Sequence, residues 1–386
     1  MLLTIVIFIL VLSVLVFAHE LGHFMTARRL GVKAEEFGFG FPPRALGVYR
    51  NKAKKWRFVF GARTYESLER SADEKLHPHP KSTIYSLNWL PIGGFVKIKG
   101  QDGEEKNDKD SFAGQKIWKR LVILAAGVIM NVFLAWGLFS VGYMIGLPQV
   151  TDTVSKNAII SEPSVIIASV VPDSPAAIAG LQSGDIIKQV NGQVIASESL
   201  LQEIVGANNG QVISLAVNRG GEDIDILAEP ASKDGGRATI GVAIFASGTV
   251  RYPFFSAIIE GARTTGVMLK EIVVAFGSLF TNLFQGKPVA DQFAGPIGIA
   301  NITGEAARLG FIYLLQFTAL LSLNLAIINI LPFPALDGGR IIFLLVEKLK
   351  GRPVKQEIET LVHNIGFLLL IALIIFVTYK DIVRLF

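Results

Sequence analysis

Two histidines and a glutamate close the first apolar stretch, in Phe17-Ala18-His19-Glu20-Leu21-Gly22-His23-Phe24. The spacing is HExxH. On a helix, residues four apart leave one face, so His19 and His23 offer two imidazoles to a single metal ion. Glu20 follows the first histidine and reaches a water on that ion, the position of a general base. Five-residue patterns recur by chance in soluble helices, but this one ends the uncharged, mostly apolar run 2–18. Ionisable groups are costly at membrane depth and are usually retained there for function. The pattern therefore points to a catalytic metal site.

Two histidines do not complete such a site, because catalytic zinc usually takes three protein ligands and keeps an open position. The chain contains no cysteine, which excludes disulfides and thiolate zinc sites and leaves histidine and carboxylate as ligands. His363 and Asp337 are the candidates for the third ligand. Asp337 is the stronger, in Asn329-Ile-Leu-Pro-Phe-Pro-Ala-Leu-Asp-Gly-Gly339, directly after an apolar span. Its prolines stop the helix and its paired glycines permit a tight turn. A carboxylate that merely caps a helix at a membrane edge is the plainer reading. His77 and His79 lie between prolines in a polar loop and read as surface residues.

The elements that must position these groups are largely membrane spans. At 386 residues and 51% hydrophobic, the expected fold is a polytopic α-helical membrane protein. It has four transmembrane helices, membrane-associated β segments and an inserted extracytoplasmic α+β domain. The expected order is a first span with HExxH at 1–24, a loop with re-entrant β segments at 25–118 and a second span at 119–147. The inserted domain follows at 160–246, then an amphipathic helical region at 247–310. A third span with the LDG motif occupies 311–340, a loop 341–362 and the last span 363–386. The stretch 253–284 is helical in period but carries Glu260, Arg263, Lys270 and Glu271, so it is expected to lie on the membrane rather than cross it. The N-terminus lacks a basic n-region and a small-residue cleavage site, so the first span is read as retained.

The formal net charge is +5, and its distribution matters more than its size. Lys and Arg crowd the segments after the first span and after the third, which makes both cytoplasmic. The segment between spans two and three is richer in Asp and Glu and is expected outside, although Lys380 and Arg384 fit an external C-terminus poorly. His19, His23 and Asp337 then fall at similar depth, near the cytoplasmic side. Two apolar pieces of the first loop, 38–44 and 84–99, are expected to dip back toward the site as short strands. Gly94, Phe95 and Val96 are candidates for holding an unwound substrate by edge pairing.

The segment Ser174-Pro-Ala-Ala-Ile-Ala-Gly-Leu-Gln-Ser-Gly-Asp-Ile-Ile-Lys-Gln-Val-Asn-Gly192, with Thr239-Ile-Gly-Val-Ala-Ile244, resembles a bacterial PDZ domain. The resemblance implies that Ile240, Gly241 and Val242 present backbone N–H groups to a peptide C-terminus. A domain of the same fold acting only as a steric gate is the alternative. HExxH in the first span, NxxPxPxLDGG after the third and this domain between the second and third resemble the site-2 proteases, in their bacterial RseP-type branch. Gly295-Pro-Ile-Gly298 is a further match. Well-known gammaproteobacterial members carry two PDZ domains, and one is found here.

That resemblance implies Zn2+ held by His19, His23 and Asp337, with Glu20 as catalytic acid/base and Asn329 beside the substrate. It implies hydrolysis of peptide bonds within transmembrane segments, in regulated intramembrane proteolysis of a substrate such as an anti-sigma factor already trimmed by a site-1-type protease. The bacterial inner membrane, with its lipid, is the expected location, and no nucleic-acid partner is expected. A metal transporter would not require Glu20 or a PDZ module. A silent PDZ scaffold would not require the set His19, Glu20, His23 and Asp337.

Overall fold

The computed structural model describes residues 2–61, 63–71, 73–79, 81–101, 103, 105–150, 158–195, 197–232, 238–287 and 295–383. In chain order the elements begin with α1 (Leu2–Arg29), β1 (Ala34–Arg50), β2 (Trp56–Val59), α2 (Tyr65–Glu69), β3 (Ile84–Ile98) and α3 (Ile117–Ile145). There follow β4 (Leu147–Val150), β5 (Ile159–Val170), α4 (Pro175–Ala179), β6 (Ile186–Val190), β7 (Gln193–Val194) and α5 (Glu198–Ala207). The chain continues with β8 (Ile213–Arg219), β9 (Glu222–Ala228), β10 (Val242–Arg251), α6 (Phe254–Phe284), α7 (Pro296–Leu309), α8 (Phe311–Ile330), α9 (Asp337–Lys350) and α10 (Gln356–Val383). The chain divides into two compact units, Met1–Phe139 with Gly261–Phe386, and Ser140–Glu260.

Among the described residues, α1, α3, α6, α8 and α10 are long and apolar enough to cross a membrane. At 1.5 Å per residue, even the 20 residues of α8 extend roughly 30 Å, the thickness of a hydrocarbon core. The sequence reading gave four such helices. The fifth is α6, whose 31 residues meet the length and composition of a span even though it carries Glu260, Arg263, Lys270 and Glu271. Helix α1 runs on to Arg29, past the expected boundary at 24, and the chain beyond α8 forms a separate amphipathic helix, α9.

The two apolar pieces of the first loop are strands. Residues Glu36 to Phe39 of β1 pair with both arms of β3, Tyr85 and Leu87 on one side, Val96 and Gly94 on the other. The second half of β1 pairs with the first arm of β3 through Leu46–Leu87 and with β2 through Gly47–Val59. Both long strands therefore fold back on themselves. Gly40 (φ 82) and Gly93 (φ 72) supply the left-handed backbone at the reversals that a side chain would disfavour. The arm Gly94 to Ile98 is an outer edge: no strand among the described residues covers its far side.

Within the second unit the strands run in the order β4-β10-β5-β6-β8-β9, all antiparallel where paired, with β7 a short partner of β6. Alternation sets the core: Val165, Ile167, Ile213, Leu215 and Val217 are each no more than 1% exposed, on one face of their strands. Ser174 caps α4 by accepting from the Ala177 N–H, and Gly180 closes it at φ 83. Strand β10 pairs with β5 from Val242 onward, whereas β4 covers only Ser247 to Val250. The other edge of Val242 to Ala246 is open among the described residues.

An ion pair pins β6 to β8. Arg219 donates from Nε and Nη2 to the buried Asp185 carboxylate at 2.7 and 2.8 Å, and the Gln182 N–H donates to it at 2.9 Å. The Arg219 guanidinium lowers the Asp185 carboxyl below its ordinary range, against its burial and with help from Gln182. A folded-state value below the unfolded ~3.9 means this stabilisation is complete above that pH and is lost as pH falls through the folded value. Arg219→Leu should speed hydrogen exchange of the β6 and β8 amides roughly tenfold or more at pH 7. The gap from wild type should close below about pH 4.

Candidate metal centre

Helix α1 forms because its residues 2–18 are uncharged and mostly apolar, and it brings His19 and His23 to one buried face, 7% and 6% exposed. Asp337 is the first residue of α9. Its carboxylate does not cap that helix, whose N-cap is Leu336 without a side-chain hydrogen bond. It turns instead to the histidines. Asp337 Oδ2 lies 3.0 Å from His19 Nε2 and 3.3 Å from His23 Nε2, and the two Nε2 atoms are 3.1 Å apart. Two ends of the chain thus converge on one triangle of donor atoms.

The triangle fits zinc. Donors bound tetrahedrally at about 2.0–2.1 Å stand roughly 3.3–3.4 Å from one another. His23 Nδ1 donates to the Ile123 carbonyl at 2.8 Å, so a neutral ring leaves a lone pair on Nε2. Asp337 Oδ2 is sealed from solvent and has no hydrogen-bond partner. When both rings carry their proton on Nδ1, the three inward lone pairs repel one another unless a cation lies among them. Space is reserved as well: a Cβ on Gly127 of α3 would meet His19 Cε1 at 2.6 Å and His19 Nε2 at 2.8 Å, and would press on His23 Nε2.

Glu20 leaves α1 beside the triangle, close to the Val96 backbone. Asn329, at the end of α8, has its Nδ2 3.4 and 3.5 Å from the ring nitrogens of His19. Gly94, Phe95 and Val96 lie on the open edge of β3. Ser13 of α1 fixes this arm by donating to the Pro91 carbonyl at 2.9 Å and accepting from the Gly93 N–H at 3.1 Å. A Cβ on Gly94 would meet Phe17 Cα at 3.4 Å. The edge therefore runs alongside the HExxH turn.

The other expected residues have different places. Ile240, Gly241 and Val242 belong to the second unit. There the Ile240 side chain is core, and the Ile240 and Gly241 carbonyls accept from Ala176 and Val171 at 2.8 and 2.9 Å. His363, the weaker candidate for the third ligand, is not among the three donors. Its Nδ1 accepts from the Ala335 N–H at 2.9 Å. Ala335 sits at φ 75, a left-handed conformation unfavourable for a residue with Cβ. His363 thus braces the turn that delivers Asp337. His77 accepts from Lys52 Nζ and donates to the Ser71 carbonyl, and His79 accepts from the Lys81 N–H.

Three contributors escaped the sequence reading: Ser13, Gly127 and Asn131. Ile123, Gly127 and Asn131 are four apart on α3 and form one stripe facing the histidines. Asn131 is fully buried, with its Nδ2 3.4 Å from His19 Nδ1. The available signal was a lone carboxamide inside an apolar span, which is rarely kept without a partner.

The model of peptidase family M50 matches residues 7–62 and 75–373. The chain is 29% identical to the regulator of sigma-W protease RasP of Bacillus subtilis, covering 99% of each chain. It is 28% identical to the zinc metalloprotease RasP of Bacillus licheniformis, again covering 99% of each. Among solved structures, the PDZ domain of an SdrC-like protein of Listeria monocytogenes is similar at 20% identity and TM-score 0.21, covering 22% of this chain and 92% of that one.

The reserved space gives a direct test. Gly127→Ala should lower bound zinc at least about tenfold in the purified chain, since it displaces ligand rings. Gly137→Ala, on the same helix with nothing within 4 Å of its added Cβ, should retain it. Metal analysis by mass spectrometry reads both.

Proposed function

This chain belongs to peptidase family M50, and from that premise we propose that it cuts peptide bonds inside transmembrane segments of other membrane proteins. It is a zinc metalloprotease. The observation that carries the finer reading is the convergence of His19, His23 and Asp337 within a bundle of apolar helices. A soluble substrate would not require that setting.

In this reading His19, His23 and Asp337 hold the ion. Bound there, zinc acidifies a water and polarises the scissile carbonyl. Glu20 takes the proton from the attacking water and returns it to the leaving amine. The Val96 N–H orients the Glu20 carboxylate. Asn329, on the side of His19 nearest the end of α8, donates to the carbonyl oxygen as charge builds there. A substrate helix has its amides paired internally and must be unwound before attack. The open edge Gly94 to Ile98 takes up the unwound stretch as an added strand, next to Glu20. On the second unit, the open edge of Val242 to Ala246 with the Ile240–Val242 turn screens the external part of the substrate. The RasP of B. subtilis carries the name regulator of sigma-W protease, and an anti-sigma factor first trimmed by another protease is the proposed substrate class here.

Four crossings are favoured over five. The C-terminal ends of α1 and α8 meet at the metal triangle, so these helices run in the same direction. Helix α3 runs the other way, since Ile123 meets His23 and Asn131 meets His19. The chain between α3 and α8 must then cross an even number of times. Helix α7 has 14 residues, about 21 Å, too short for a span. Its N-terminus is held by Asp381 near the end of α10, and its Gly304 packs on Thr4 near the start of α1. Both contacts favour the outer end of the bundle for α7, so α6 stays on that side as a surface helix. The basic residues around β1 and β2 put the opposite end in the cytoplasm. Exposed Trp56 and Phe58, close in sequence to Lys52, Lys54 and Lys55, suit an anionic membrane interface.

Two experiments test this. With a model transmembrane substrate, Glu20→Gln should keep zinc and lose cleavage by about 10²–10⁴-fold. Val96→Pro should impair cleavage with zinc unchanged; full-rate cleavage would rule out edge pairing. The chain has no native cysteine, so single cysteines report sidedness cleanly. Asn209→Cys and Lys287→Cys should react with an impermeant maleimide from the same side, and Lys54→Cys only from the other. Lys287→Cys reacting with the Lys54→Cys side would mean that α6 crosses.

A further inference from the structure

The two histidines are braced unequally. His23 has a backbone acceptor for its Nδ1–H, the Ile123 carbonyl at 2.8 Å. His19 has no such carbonyl. Its Nδ1 faces two carboxamides, Asn131 and Asn329, each with Nδ2 at 3.4 Å. A histidine that coordinates through Nε2 carries its proton on Nδ1 and requires an acceptor there. Two amide donors facing Nδ1 are the wrong chemistry for that state. A side-chain amide presents either end by rotation about one bond, and the hydrogen-bond network selects which.

The environments of the two asparagines separate them. Asn131 is fully buried on α3, and its Oδ1 has no partner holding the amide in its present sense. Its backbone is fixed, because Ser322 of α8 donates to the Asn131 carbonyl at 2.8 Å. Asn329 is half-buried at the end of α8, and its Nδ2 lies almost equally far from both ring nitrogens of His19. Asn329 is therefore placed to meet something approaching the ring, and Asn131 to hold the ring from behind.

We propose that Asn131 is the positioning residue for His19: its Oδ1 accepts the Nδ1–H and so fixes the tautomer and ring orientation that direct Nε2 to the metal. This rests on the reading of His19, His23 and Asp337 as ligands. Helix α3 then acts as the back wall of the site through three successive turns. Ile123 supplies a carbonyl to one histidine, Gly127 the clearance, and Asn131 a carboxamide to the other.

The test uses the full chain purified in detergent, with zinc affinity read by competition against a fluorescent chelator and with cobalt substituted for absorption spectra. Asn131→Leu, similar in volume but with no acceptor, should weaken zinc binding about 10- to 100-fold and alter the cobalt spectrum. The unfolding temperature of its metal-free form should stay at the wild-type value. Asn131→Asp restores an acceptor and should bind zinc within a few-fold of wild type. Asn131→Ser keeps a buried hydroxyl too short to reach His19; it should behave like Asn131→Leu and serves in its place if that variant does not fold. Asn329→Leu should reduce cleavage more than zinc affinity, the reverse of Asn131→Leu. Wild-type zinc affinity in both the Leu and the Ser variants would overturn the assignment. So would an Asp variant as weak as the Leu variant, which would mark a packing role. A wild-type chain that binds no zinc, like His19→Ala and Asp337→Ala controls, would overturn the ligand reading itself.

Discussion

Everything in the first unit answers one electrostatic demand. Two imidazoles and a carboxylate turn their Nε2 and Oδ2 atoms toward each other at 3.0 to 3.3 Å, among helices that are largely apolar. Bringing such groups out of water is costly, and their mutual contact adds to that cost. A cation reverses the sign of the whole arrangement. The surrounding architecture can be understood as what is required to hold three donors still while no side chain fills the space between them.

Close helix approach is the first requirement. Gly22 of α1 lies against Ala126 of α3 so tightly that a Cβ would strike the Ala126 carbonyl, and Gly127 leaves the clearance one residue further on. Small residues at helix contacts are the ordinary means of close packing in membranes. Delivery of Asp337 is the second. Gly338 and Gly339 let the start of α9 fold onto the Ile330, Leu331 and Phe333 carbonyl groups, Gly366 of α10 makes room for Pro334, and His363 braces the left-handed Ala335. A short stretch of irregular backbone at membrane depth is tolerable because protein groups satisfy it.

The β sheet beside α1 meets a related constraint. An edge strand normally invites aggregation. Here the arm Gly94 to Ile98 is held against α1 through Ser13, and Val96 lies beside Glu20. The exposed ladder is therefore short, and it lies beside the Glu20 carboxylate. In the second unit the same device recurs on β10, where β4 covers only part of the strand.

Local chemistry made much of this legible from residues alone. HExxH at the end of an apolar run puts two imidazoles on one helix face, because i and i+4 share a face whatever the rest of the chain does. Prolines and glycines around Asp337 announce a turn, and the alternation of Val, Ile and Leu in β5 and β8 announces strands. The span count was less legible, since length and hydropathy alone do not decide whether α6 crosses, and element ends shifted by several residues at α1 and α10. What only the tertiary structure decided is which groups from distant segments share a space. Asp337 rather than His363 faces the histidines, Ser13 clamps a turn some eighty residues away, and Gly127 and Asn131 form the back of the site. Such pairings depend on how helices lie side by side, and a sequence pattern carries the period of one helix but not the azimuth at which its neighbour meets it.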